Sequence, residues 1–278
     1  MPEFLFTAAD FQRVRDLIHQ RAGISLGESK REMVYSRLTR LVRARRLTSF
    51  AEYLELLEQG PAGEWEAFTN ALTTNLTAFF REPHHFPILA ERLRKTAGKR
   101  PIRLWSCAAS TGEEPYSMAM TVVETLGRFD APVRILASDI DTAVLEKAER
   151  GVYPLERVVR LEKDRLKRFF LQGVNKNAGL VRVRPELRKL ISFQPLNLLE
   201  ERWPLRDPFD AIFCRNVMIY FDKPTQYRIL EKFAPLLRPD GLLFAGHSES
   251  FTHAGGMFRC LGKTVYRRAQ ESSGRMAS

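Results

Sequence analysis

The chain has 278 residues and a formal net charge of +11, with 44% hydrophobic and 28% charged residues. This composition is ordinary for a globular protein, and the length suits one large domain or a small and a medium one. We find no apolar run of eighteen residues and no signal-like start, so neither a membrane-spanning helix nor a secretory signal is expected. Three scattered cysteines (Cys107, Cys214 and Cys260) lack the spacing of a disulfide framework or a zinc site, and a cytoplasmic protein is the simplest interpretation.

The N-terminal part of the chain shows the period of amphipathic helices. One apolar face begins after a cap at Thr7 and ends at Gly23, which predicts the first helix. Further helices are expected after a cap at Ser29, after Thr48, and over residues 65–76. Short connections between amphipathic helices favour a bundle, so we predict a small all-α domain over residues 1–85.

From residue 86 the pattern changes to short apolar runs that alternate with helical stretches. This alternation is typical of an α/β domain with an open, doubly wound parallel sheet. The predicted strands are 102–106, 133–137, 190–193, 209–214 and 242–245, and the predicted helices are 114–126, 142–150 and 224–237. An interval at about 152–193 interrupts the alternation and predicts a small antiparallel β-insertion. The α/β domain is therefore expected over residues 86–278.

Polar residues stand just after the predicted strands, where ligands bind in a doubly wound sheet. The first strand is followed by small residues and then by two acids, Glu113 and Glu114, at a helix start. Carboxylates there would repel a pyrophosphate but suit a cationic ligand. A capping box of Thr111 with Glu114 is an alternative interpretation, and the residues leave both open.

The other strand ends add to this pattern. Asp139 ends the second strand, where such folds hydrogen-bond ribose hydroxyls, whereas Asp141 suits a helix cap better. Polar and apolar side chains that could hold an adenine edge and a methionine-like tail follow later strands: Asn197, Leu198, Arg215 and Asn216. Together these positions favour an adenosine-containing cofactor without a phosphate, and S-adenosylmethionine is the common ligand of that description.

Six segments resemble signature stretches of the chemotaxis receptor methyltransferase family, CheR. They are LTTNLTAFFRE (72–82), ASTGEEPYS (109–117), ASDID (137–141), PLNLL (195–199), FDAIFCRNVMIYF (209–221) and LLRPDGLLFAGHSE (236–249). The resemblance covers nearly the whole chain and is weaker over residues 171–179. It implies a helical N-terminal domain, a Rossmann-like methyltransferase domain with a β-insertion, and methyl transfer from S-adenosylmethionine to glutamate side chains of receptors.

The resemblance also implies roles for individual residues. Cofactor contacts would come from Asn75, Thr77, Arg81, Glu114, Asp139, Asn197, Leu198, Arg215 and Asn216. Arg81 and Tyr220 would flank the transferred methyl group as catalytic residues. In some members of the family the insertion binds a short peptide at the receptor C-terminus.

The proposed chemistry needs no general base. A glutamate carboxylate has an unperturbed pKa of about 4.3 and is already a nucleophile at neutral pH. Arg81 or Tyr220 could orient that carboxylate or the carboxylate of the cofactor, and the sequence leaves this open. His84 and His85 suggest a metal, but adjacent helical residues point about 100° apart, so no metal site is predicted.

The positive charge suits nucleic acid, anionic lipid or an acidic protein. Arg37, Arg40, Arg43 and Arg46 recur every third residue, which predicts a surface for an acidic receptor helix; a solvated helix face is the alternative. An RNA methyltransferase is a competing hypothesis, although no RNA-binding signature is present. A non-catalytic S-adenosylmethionine-binding signalling module is another.

Overall fold

A computed structural model describes residues 3–60 and 62–269 of the chain. Its N-terminal helices are α1 (Ala8–Ala22), α2 (Arg31–Ala44), α3 (Phe50–Gln59) and α4 (Ala62–Leu72). Thr7 caps α1 through a capping box with Asp10, and Gly23 ends it in the left-handed region at φ 68°, as predicted. The apolar faces of the four helices share one core, which confirms the predicted bundle.

Two predicted helix ends are wrong. Ser29 lies within a short 3-10 turn, and α2 begins after Lys30 without a side-chain cap. The helix predicted to reach residue 76 ends at Leu72. Beyond it, Thr73 Oγ1 and Asn75 Nδ2 donate to Asp141 Oδ2 at 2.6 and 2.8 Å. These tertiary hydrogen bonds hold the chain outside the helix after Leu72, and the helical sequence pattern does not predict them.

A seven-stranded sheet follows, flanked by α5 (His85–Thr96), α6 (Glu113–Leu126), α7 (Thr142–Arg150) and α10 (Lys223–Leu236). Its parallel strands are β1 (Ile102–Ser106), β2 (Val133–Asp139), β6 (Ile191–Pro195), β7 (Phe209–Cys214) and β8 (Leu237–Ala245). Two antiparallel strands that were not predicted, β9 (Phe258–Gly262) and β10 (Val265–Arg268), complete the order β6-β2-β1-β7-β8-β10-β9. The chain order reverses between β1 and β7, where such sheets bind ligands.

The β-insertion is a separate three-stranded antiparallel sheet. Its strands, β3 (Val152–Pro154), β4 (Phe170–Gln172) and β5 (Leu180–Val183), lie in the order β3-β5-β4. Two short helices that were not predicted, α8 (Lys163–Phe169) and α9 (Pro185–Arg188), complete it. Because β6 pairs parallel with β2, the insertion ends before residue 191 and not at the predicted boundary near 193.

The helical domain contacts the loops at the carboxyl ends of the parallel strands. Asn197 Nδ2 donates to the carbonyl of Arg21 at 2.9 Å, and the amide of Ser25 donates to the carbonyl of Tyr220 at 3.1 Å. Gly23 fits closely, since a Cβ there would lie 2.9 Å from the Phe221 ring. The two domains thus enclose the sheet edge that carries the predicted site. Within the described ranges, no helix has the length and apolarity needed to cross a bilayer.

Candidate functional site

A cleft of about 240 Å³ lies between the helical domain and the carboxyl ends of β1, β2 and β7. All ten residues to which the resemblance gave cofactor or catalytic roles line it: Asn75, Thr77, Arg81, Glu114, Asp139, Asn197, Leu198, Arg215, Asn216 and Tyr220. Residues far apart in sequence are brought together because each follows a strand that ends at the same sheet edge. The cleft is therefore the candidate site.

Asp139 is held at the floor of this cleft by backbone amides. Its Oδ2 accepts from Ser110 N at 2.8 Å and its Oδ1 from Asp141 N at 3.0 Å. Burial raises the pKa of Asp139 to about 6 despite these hydrogen bonds. Asp141 caps α7 by accepting from Val144 N, as predicted. Each oxygen of Asp139 keeps a second lone pair, so the carboxylate can accept from hydroxyl groups of a ligand.

Glu114 and Arg215 form a buried ion pair on the cleft wall. Glu114 Oε1 accepts from Ser106 Oγ at 2.7 Å, and its Oε2 accepts from Arg215 Nη1 at 3.0 Å. Burial raises the pKa of Glu114, while the Arg215 charge opposes that rise. The capping-box alternative is wrong, because α6 starts at Glu113 after Gly112 without a side-chain cap. Glu114 is thus available to the cleft and not bound to the helix start.

The segment that joins the two domains forms part of the cleft. Arg81 Nη1 donates to the carbonyl of Leu76 at 2.8 Å, and the carbonyl of Arg81 accepts from Arg215. Its neighbours Phe80 and Glu82 have positive φ angles of 51° and 54°. The linker over residues 73–82 is therefore tightly folded against the sheet domain and presents Arg81 to the ligand space.

Glu249 is a structural anchor of the site that the sequence analysis did not identify. Its carboxylate accepts from the amides of Asn216, Val217 and Met218 at 2.8–3.0 Å, and from the amide of Gly246 at 2.5 Å. These bonds hold the loop after β7, which carries Arg215, Asn216 and Tyr220. Asn216 itself is in the left-handed region at φ 59°. The only sequence signal was that Glu249 ends one of the family-like segments.

The insertion also contacts the cleft walls. Arg157 Nη2 donates to the carbonyl of Thr77 at 2.9 Å and pairs with the buried carboxylate of Glu113. Tyr153 Oη donates to the carbonyl of Thr111 at 2.7 Å. The insertion therefore braces the loop after β1 and the interdomain linker. No sequence pattern indicates these contacts, because they join residues that are more than forty positions apart in the chain.

The arginines predicted to form one receptor surface lie outside the cleft and do not share a face. Steps of three residues rotate by about 60° around a helix. Arg37 is half-buried, with Nη1 donating to the carbonyls of Thr73 at 2.6 Å and Ala71 at 3.3 Å. Arg43 pairs with Glu3, and Arg46 lies past the end of α2. Among the described residues, Arg40 alone of the four is exposed on α2 without an ion pair or a side-chain hydrogen bond.

His84 and His85 have an acidic neighbour that the sequence analysis missed. Glu82 Oε2 lies 3.8 Å from His85 Nδ1, and possible ligand atoms of the three side chains lie within 4.8 Å of one another. However, the Arg215 guanidinium lies 3.6 Å from the same Glu82 oxygen. Burial and this charge lower the pKa of His85 to about 4. The Glu82 carboxylate is thus shared between His85 and Arg215, and no role for the two histidines in the cleft follows from this geometry.

Comparison with known proteins identifies the family of the chain. Residues 9–73 match the CheR methyltransferase all-alpha domain, and residues 75–267 match the CheR methyltransferase SAM binding domain. Chemotaxis protein methyltransferase 2 of Pseudomonas aeruginosa is 59% identical over 268 residues, which cover 96% of this chain and 95% of that protein. Chemotaxis protein methyltransferase of Escherichia coli is 55% identical over 264 residues, which cover 95% of this chain and 92% of that protein. The chain therefore belongs to the CheR methyltransferase family, with an all-α domain and a domain that binds S-adenosylmethionine.

Proposed function

We propose that the protein transfers the methyl group of S-adenosylmethionine to glutamate side chains of chemotaxis receptors and forms methyl esters. The observation that carries this proposal is the cleft, in which buried acids at the strand ends face Arg81 and Tyr220 across a ligand-sized space. The names of the relatives support the receptor as substrate. Among the described residues that line the cleft there is no histidine, and esterification of an ionised carboxylate requires no base.

The residues of the cleft fit S-adenosylmethionine, which supplies a methyl group on a positively charged sulfur. Asp139 would accept hydrogen bonds from the ribose hydroxyls, and Glu114 would face the cationic amino end. Arg81 and Tyr220 would orient the attacking carboxylate in line with the methyl–sulfur bond. Opposite charges are neutralised as the transition state forms, so the residues should align the substrate without holding its charge too tightly.

A labelling experiment tests the proposal. The protein would be incubated with S-adenosylmethionine carrying a radiolabelled methyl group and with either receptor-containing membranes or RNA. We expect label on the receptor that is released by base, because methyl esters hydrolyse in base. Label on RNA would show the competing methyltransferase activity. Binding of S-adenosylhomocysteine with no transfer to either acceptor would show a non-catalytic module.

The first prediction concerns the pH dependence of cofactor binding. Asp139 has a raised pKa of about 6, so it becomes protonated and loses acceptor capacity as the pH falls through that value. We expect the affinity for S-adenosylhomocysteine to fall below pH 6 in the wild type. Asp139→Ala should bind roughly ten- to hundredfold more weakly at pH 8, because a hydrogen bond to a charged group contributes about 1.5–3 kcal/mol. Calorimetry from pH 5 to 8 measures both; an unchanged affinity in a folded variant would refute the assignment to Asp139.

The second prediction concerns the receptor surface of α2. Arg40→Glu should raise the KM for receptor a few-fold and spare cofactor affinity, since an exposed charge pair contributes about 0.2–1 kcal/mol. Arg37→Glu is unsuitable for this test, because Arg37 binds two carbonyls at the end of α4. Arg259→Glu, an exposed arginine on β9, is a matched control. Equal KM values for Arg40→Glu and the control would show that this side of α2 is a solvent-exposed helix face that does not bind the receptor.

We also propose that a receptor C-terminal peptide binds the insertion. Strands β3 and β4 are the two edges of its sheet. An edge strand can pair with a further strand through its outer backbone groups. Such a tether would raise the local concentration of target glutamates. Calorimetry with peptides from the receptor tails of the same bacterium should detect binding. If none binds while tail-less receptors are methylated normally, the insertion serves only to brace the cleft through Arg157 and Tyr153.

A further inference from the structure

The loop after β6, which covers residues 196–203, is held by one lysine of α10. Lys232 Nζ donates to the carbonyls of Leu198 at 2.9 Å and Glu200 at 2.7 Å. The same ammonium group lies 4.6 Å from the centre of the Trp203 ring, where a cation is attracted to the aromatic face. All three contacts are made to this loop, and the two acceptors are neutral backbone oxygens. Lys232 therefore acts on the position of the loop backbone.

Trp203 holds the same loop from a second direction. Its Nε1 donates to the carbonyl of Asn197 at 3.2 Å. The ring packs edge-on against the fully buried Trp105 of β1, with 5.3 Å between the ring centres, and it lies equally close to Phe233 of α10. The indole thus connects the loop to the core of the sheet domain.

The two donors fix the peptide groups on either side of Leu198. A peptide unit is planar, so a held carbonyl fixes the orientation of the whole unit. Trp203 holds the carbonyl of Asn197 in the first unit, and Lys232 holds the carbonyl of Leu198 in the second. The Cα of Leu198 joins these units. The backbone angles of Leu198, and with them the direction of its side chain, are therefore set by Lys232 and Trp203.

Asn197 and Leu198 stand at one end of the cleft. The strand order β6-β2-β1-β7 places the loop after β6 on one side of Asp139, which ends β2. Glu114 lies on the other side, in the first turn of α6 after β1. With the ribose at Asp139 and the amino end of the cofactor at Glu114, the base of the cofactor would lie against Asn197 and Leu198.

We propose that Lys232 is a positioning residue for the base of the cofactor and acts through the loop after β6. Of the described residues, Leu198 lines the cleft and is buried, whereas Lys232 is outside the lining. A lysine suits this role because its ammonium group offers three donors and no acceptor. This inference rests on the proposed function, which gives the cofactor its identity and its direction in the cleft.

The test removes the ammonium group and keeps a long, unbranched side chain. Lys232→Met loses the charge and both hydrogen bonds, and Lys99→Met, at an exposed lysine in the turn before β1, is the matched control. Two ligands are compared by calorimetry: S-adenosylhomocysteine and 5′-methylthioadenosine, which has the same adenosine but lacks the amino acid part. Denaturant unfolding measures stability, and receptor methylation measures kcat and the KM for S-adenosylmethionine.

We expect Lys232→Met to weaken both ligands by the same factor, roughly three- to thirtyfold, because the loop contacts the part that the two ligands share. The KM for S-adenosylmethionine should rise by a similar factor with little change in kcat, and Lys99→Met should resemble the wild type. Trp203→Phe, which keeps a ring but removes the N–H donor, should weaken both ligands by a smaller factor. The double variant should lose less than the product of the two factors, because both residues hold Leu198.

Two results would overturn the proposal. Unchanged ligand affinities in a Lys232→Met protein of lowered stability would show that Lys232 only stabilises the fold. A loss of affinity confined to S-adenosylhomocysteine would place the effect at the amino acid end of the cofactor and not at the base. A wild type that binds neither ligand would instead contradict the proposed function itself, so the two failures are distinguishable.

Discussion

Glu249→Ala is expected to lower the free energy of unfolding by about 3–6 kcal/mol and to weaken cofactor binding strongly. The carboxylate of Glu249 accepts four backbone hydrogen bonds, and each hydrogen bond to a charged group contributes about 1.5–3 kcal/mol, part of which water would restore. Its loss would release the loop that holds Arg215 and Asn216 at the cleft. Denaturant unfolding and calorimetry with S-adenosylhomocysteine measure the two effects.

Two further variants separate anchoring from general stability. Glu249→Gln keeps the shape of the side chain but replaces one acceptor oxygen by an NH2 donor that faces backbone N–H donors. It should therefore retain only part of the stability and cofactor affinity of the wild type. Glu231→Ala removes an exposed glutamate on α10 and should change stability by less than about 0.5 kcal/mol. A Glu249→Ala protein that is less stable yet binds S-adenosylhomocysteine normally would show that the loop geometry does not depend on this anchor.

Arg81→Ala should lower kcat by a factor on the order of a hundred, because a misaligned nucleophile loses the advantage of a fixed geometry. Arg81→Lys should not restore it, since a lysine cannot hold a carboxylate through two parallel hydrogen bonds. Tyr220→Phe, which removes one hydroxyl, should lower kcat by roughly a factor of ten. Receptor methylation at saturating substrates provides kcat, and calorimetry provides cofactor affinity.

The comparison of these two constants decides the role of each residue. If Arg81 orients the receptor glutamate, Arg81→Ala should bind S-adenosylhomocysteine within a few-fold of the wild type. If its affinity falls as much as its kcat, Arg81 instead holds the cofactor. Arg259→Ala, an exposed arginine on β9, is the matched control and should change neither constant.

The strand ends of the site were predictable from the sequence because the sheet imposes a simple rule. Short apolar runs identified the five parallel strands, and Asp139, Asn197 and Arg215 each follow such a run. Because the strands are parallel, these positions lie at the same edge of the sheet, and this does not depend on how the side chains of the core pack. The helix caps at Thr7 and Asp141 were equally local and were predicted correctly.

The remaining features depend on contacts between distant segments. Glu249 binds the amides of a loop more than thirty residues away, and no periodicity marks such a partner. The end of α4 was predicted wrongly because Thr73 and Asn75 donate hydrogen bonds to Asp141 and do not continue the helix. Strands β9 and β10 are short and carry charged residues, so their apolar signal is weak. The position of α8 likewise required the three-dimensional structure.

The path of the linker over residues 73–82 has a consequence for turnover. This segment is the covalent connection between the two domains and also one wall of the cleft, with Asn75 bound to Asp141 and the carbonyl of Arg81 bound to Arg215. A swing of the helical domain away from the sheet would strain these bonds and withdraw that wall. The position of the helical domain and the shape of the ligand space would then be coupled, because one segment serves both as hinge and as wall.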